Sequence, residues 1–76
     1  MSRLPRVTGD EVVAALKRAG FVLVRIRGSH HHLRKPGAKN LVTVPVHTGE
    51  IIKPKLLKSI LEQASMTVEE FENLLY

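Results

Sequence analysis

The chain has 76 residues, of which 43% are apolar, with twelve Lys or Arg, seven Asp or Glu and no cysteine. That length implies one domain, residues 1–76, near the size where a single hydrophobic core just suffices, and the lack of cysteine excludes a disulfide frame or a thiolate zinc site. A formal net charge of +5 and a pI of about 10.1 point to a polyanionic partner.

From the N-terminus, Thr8-Gly9-Asp10-Glu11 reads as a helix start, with Thr8 as N-cap and Glu11 as its capping-box partner. Val7 and Val12 are placed to staple that cap, and Val12, Val13, Leu16 and Ala19 form a helical apolar stripe. Gly20 ends it, which gives helix one about residues 9–19. Phe21 to Arg27 is rich in β-branched residues and is strand one. Gly28-Ser29 is a two-residue hairpin turn, in which glycine supplies a positive φ. Strand two runs from His30 to Lys35. Pro36 to Asn40 is a loop by composition. Leu41 to Val46 is strand three, with Pro45 near its end or on an edge, because proline cannot donate to a ladder.

A second helix is expected to begin at Pro54 and to bury Leu56, Leu57, Ile60, Leu61 and Ala64. Thr67 and Glu70 make another capping box, with Met66 and Phe71 as its staple. The third helix, about 68–75, brings Phe71, Leu74 and Leu75 to the core. The expected fold is α+β: a helix, a three-stranded antiparallel sheet and a helix, plus a short C-terminal helix, in two layers with one sheet face open.

The hairpin register carries most of the functional reading. A two-residue turn sets Arg27 opposite His30, Ile26 opposite His31, Arg25 opposite His32 and Val24 opposite Leu33. Val24, Ile26, His31 and Leu33 then share a face able to pack on a core. Arg25, Arg27, His30, His32 and Arg34 share the other, a cationic and titratable surface. Between Val12 and Gly49 there are seven Lys or Arg and no acid, whereas after Lys58 there are four Glu and no Lys or Arg. Lys53, Lys55 and Lys58 crowd the positive end of helix two, where cations are disfavoured by roughly 0.3–1 kcal/mol each. A helix N-terminus so decorated suits phosphate.

Gly20-Phe21, Arg27-Gly28-Ser29-His30-His31, Val42-Thr43-Val44-Pro45, Lys53-Pro54 through Leu56 and Ser59-Ile60-Leu61 together resemble the HicA toxins, over nearly the whole chain in the family's order and spacing. The resemblance implies a double-stranded-RNA-binding-domain-like fold and an endoribonuclease that cleaves messenger RNA, as the toxin of a type II toxin–antitoxin pair. It implies a HicB-like antitoxin that covers the active face. The family's essential histidine, the first after Gly-Ser, falls on His30.

The chemistry of the residues agrees. RNA carries its own nucleophile, the 2′-hydroxyl, so cleavage needs a base for its proton and cations for the phosphate. Histidine, with an ordinary pKa of about 6.5, serves near neutral pH. His30 is the expected general acid or base, without metal or other cofactor. Arg25, Arg27, Ser29, His32, Arg34, Lys53 and Lys55 are the expected RNA contacts. His32 and His47 remain candidates for a second proton-transfer group, and His31 is read as a packed, hydrogen-bonded core residue. One rival is a non-catalytic RNA-binding module with the same basic face. Another is a zinc site built from His30, His32 and His47, which no nearby carboxylate supports. No apolar run approaches the roughly 20 residues of a membrane helix, and residues 1–20 hold no signal-peptide core, so a cytoplasmic protein without membrane contact is expected.

Overall fold

The computed structural model describes residues 4–75. Six elements follow one another: α1 (Gly9–Arg18), β1 (Val22–Arg27), β2 (His30–Arg34), β3 (Val42–Pro45), α2 (Pro54–Gln63) and α3 (Val68–Leu74). The strands form one antiparallel sheet in the order β1-β2-β3. The helices cover one face, so the fold is the expected two-layer α+β domain. Among the described residues, no helix is long and apolar enough to cross a membrane.

Local chemistry sets the helix ends. The Thr8 N–H donates to Glu11 Oε1 at 2.9 Å, and the Glu11 N–H donates back to Thr8 Oγ1 at 3.3 Å, closing the capping box of α1. Thr67 and Glu70 close the same box on α3, at 2.9 and 3.1 Å. The Thr67 backbone N–H that donates to the Glu70 carboxyl, and next the Thr67 hydroxyl beside it, hold that carboxyl below the usual range. Pro54 opens α2, whose N-cap Lys53 makes no side-chain cap. Arg18 reaches across to donate to the Leu74 carbonyl at 2.7 Å, satisfying an end group of α3 and tying it to α1.

The core gathers one stripe from each helix with the inner face of β2 and β3. Val12, Leu16, Leu33, Val42, Val44, Leu57, Ile60 and Phe71 are fully enclosed, and Met66, Leu74 and Leu75 pack partly against them. Leu56 departs from the expected stripe and stays 39% exposed, because α2 is rotated to present Leu57, Ile60 and Leu61 to the sheet. Both α1 and α2 lie against β3, which leaves β1 at the uncovered side.

The turn at Gly28-Ser29 has a positive φ, +59°, at Gly28 and not at Ser29, the type II′ arrangement whose twist matches the hairpin. Arg27, Ile26 and Arg25 pair with His30, His31 and His32 as expected. Beyond them the register shifts. Leu23, not Val24, lies opposite Leu33, and Val24 is the extra residue of a β-bulge. The bulge turns partly buried Leu23 toward the core and leaves Val24 and Ile26 exposed, against the expectation that both pack inward. Among the described residues, α1 and α2 pack chiefly against β3, so little covers that edge to reward their burial.

One close approach positions the far end of β3. A Cβ on Gly9 would fall inside contact distance of the Pro45 carbonyl oxygen and 2.9 Å from the Val46 Cα. Only glycine lets the start of α1 sit on β3 this tightly. Beside it, Thr8 bridges to Ile51, and the Ile52 N–H donates to the Val7 carbonyl at 2.8 Å.

Candidate nucleic-acid interface and active site

Leu33, Val42 and Val44 face the helices, so alternation along the strands turns His30, His32, Arg34, Thr43 and Pro45 to the open face. Residues directly opposite one another share a face, with Cβ atoms about 4.5–5.5 Å apart. Three rows therefore cross the open sheet: Arg27-His30-Pro45, Arg25-His32-Thr43 and Val22-Arg34. Arg25, Arg27, His30 and Arg34 are exposed. No Asp or Glu occurs between Glu11 and Glu50, so the strands carry no acid to neutralise them. An open, acid-free cationic face is an electrostatic match for a phosphate backbone.

His30 projects beside the turn, in the same row as Arg27. His32 is half-buried and held, because its Nδ1 lies 3.0 Å from Thr43 Oγ1. A hydroxyl both donates and accepts, so this bond serves either imidazole tautomer. Thr43 is itself anchored: its backbone N–H donates to Gln63 Oε1 at 3.2 Å, and Gln63 Nε2 donates to Ser59 Oγ at 3.3 Å. Gln63 thus caps an open N–H on the edge of β3 and links α2 to the histidine row. Sequence reasoning missed Thr43, Gln63 and Ser59 as supports. The β2–β3 register points to Thr43, whereas nothing local points to Gln63.

His31 lies on the helix side between Ile26 and Val44, as expected, but its buried Nδ1 has no hydrogen-bond partner among the described residues, against the expectation that it is hydrogen-bonded. Ser29 is half-buried, and its carbonyl accepts the Val46 N–H at 2.7 Å, locking the turn to the end of β3. Lys53 and Lys55 are exposed at the start of α2. Lys53 shares a cavity with Pro45 and His47, which brings it to the His30 end of the sheet, while Lys55 does not line that cavity. Among the described residues, no three His, Cys, Asp or Glu form a group able to hold a metal ion. His30, His32 and His47 are therefore not gathered as a zinc site would require.

Residues 9–66, from the first residue of α1 to just past α2, match the family model described as the HicA toxin of bacterial toxin–antitoxin systems. No curated protein matches the chain at a significant level.

Proposed function

Because this chain belongs to the HicA toxin family, and is therefore a toxin with an antitoxin partner, we propose that it is an endoribonuclease that cleaves messenger RNA and is neutralised by a HicB-type antitoxin. The observation that carries the reading is His30 standing exposed between Arg27 and Pro45 on a sheet face without acids. In the proposed reaction His30 takes the proton of the 2′-hydroxyl, which attacks the adjacent phosphorus, or returns a proton to the leaving oxygen. Arg27 and Arg25 stabilise the charge that builds on the phosphate oxygens, a role suited to the planar guanidinium. His32, Arg34, Ser29, Lys53 and Lys55 extend the track for the RNA strand. The 2′-hydroxyl is the nucleophile and the arginines supply the cations, so the reaction as drawn uses no metal. A wide, shallow face also suits a long polymer better than an enclosed metabolite.

The test pairs the parent with His30→Ala on a long single-stranded RNA in the presence of EDTA, with binding followed in parallel. Cleavage by the parent, none by the variant and retained binding are expected. Cleavage that persists in His30→Ala moves the chemistry to His32 or His47. Binding without cleavage by either protein refutes the enzyme reading and leaves an RNA-binding module.

A further inference from the structure

Ile51 and Leu56 are 42% and 39% exposed. Both line a cavity of about 190 Å³, together with Pro45, His47, Glu50 and Lys53. Pro45 is the cross-strand partner of His30, so the cavity opens where the Arg27-His30-Pro45 row ends. Apolar walls with a few charged groups at the mouth are the usual make-up of a site for a small, flat, polar-edged molecule.

The walls are fixed in advance. Gly9 sits against the Pro45 carbonyl, Thr8 bridges to Ile51, and Leu56 stands on the first turn of α2. We propose that this cavity receives the nucleobase beside the phosphate held at His30, and that it selects a base with both an amino donor and a carbonyl acceptor, guanine or cytosine. The proposal rests on the ribonuclease reading. Pro45 is the neighbour of His30 across the strands, within reach of a base next to a phosphate held there, and unstacked bases of single-stranded RNA are read by apolar contact and by their edges. The Glu50 carboxylate accepts from an exocyclic amino group, and the Lys53 ammonium donates to a carbonyl oxygen. Adenine offers only a ring nitrogen in place of the carbonyl and uracil only its ring N3–H in place of the amino group, so each is a poorer match to one of the two charged groups. An apolar side chain of a protein partner would leave both unmatched, which disfavours that occupant.

The test uses short oligonucleotides with a single ribonucleotide, so that one linkage alone can be cut, and with the base on either side of it varied through A, C, G and U. On one side, guanine or cytosine is expected to raise kcat/KM about tenfold over adenine and uracil, the discrimination of one good two-point contact. Glu50→Ala and Leu56→Lys, both at exposed positions, are expected to erase that preference. Equal cleavage of all four bases on both sides overturns the base pocket and leaves the ribonuclease intact. A preference unchanged in Leu56→Lys overturns it as well. If the parent cuts none of them, the ribonuclease reading falls, and binding of the same set decides the pocket. There too, retained preference upholds the pocket and equal or absent binding overturns it.

Discussion

Gly9→Ala is the most direct test of how the site is held. The added Cβ would meet the Pro45 carbonyl oxygen, the Val46 Cα at 2.9 Å and the Val46 Cγ2 at 3.1 Å. The first two are backbone atoms, which cannot rotate aside, so α1 and the end of β3 must separate. Glycine to alanine in a helix interior gains up to about 1 kcal/mol, and less at this first helical position. Forcing a methyl group into a packed contact costs about 1–3 kcal/mol. The clash should win, with a net loss of about 1–2 kcal/mol. For a domain of this size each kcal/mol moves Tm by roughly 4–8 °C, so a fall of about 4–16 °C is expected in a thermal melt followed by circular dichroism. Because Pro45 faces His30, RNA cleavage should also weaken at temperatures where the variant remains folded. A variant that melts at or above the parent temperature would refute the close approach, and with it the account of how Pro45 is placed.

Three further outcomes follow from the same geometry. His31→Leu removes a buried, unpartnered Nδ1 and should raise stability by about 1 kcal/mol in urea unfolding while leaving RNA cleavage unchanged; a loss of stability would mean that the imidazole contributes to the fold. Thr43→Val removes the hydroxyl that holds His32 and should weaken RNA binding about two- to tenfold, the worth of one hydrogen bond, with the pH profile of cleavage in place; a displaced profile would put His32 in proton transfer. Glu70 has a folded-state pKa below its unfolded one, so its stabilising contribution is complete above the unfolded value and fades as pH falls through the folded value. Glu70→Gln keeps the capping geometry and should flatten the loss of stability below about pH 4.5, and an unchanged acid slope would remove Glu70 as its source.

Where the deciding residues lie within a few positions of one another, the chain alone specified the outcome. Thr8 with Glu11, Thr67 with Glu70, and Pro54 at the first position of α2 mark helix starts through bonds or dihedral limits that span no more than one turn. Gly28 sets the hairpin, and the hairpin sets Arg27, His30, Arg25 and His32 on one face, which is why the cationic histidine surface could be read in advance. One residue beyond Arg25 the reading failed. Whether Leu23 or Val24 meets Leu33 depends on which one reaches the apolar layer beneath the helices, and a bulge settled it. Helical spacing placed Leu56 on the inner stripe of α2, but the rotation of α2 against β3 turned it outward. The Gln63 support and the cavity beside Pro45 bring together residues from segments far apart in the chain, and the cavity is held by the contact between Gly9 and β3 and by the bridge from Thr8 to Ile51. Short-range hydrogen bonds and dihedral limits are written residue by residue; contacts of that second kind exist only once the helices have chosen where to rest on the sheet.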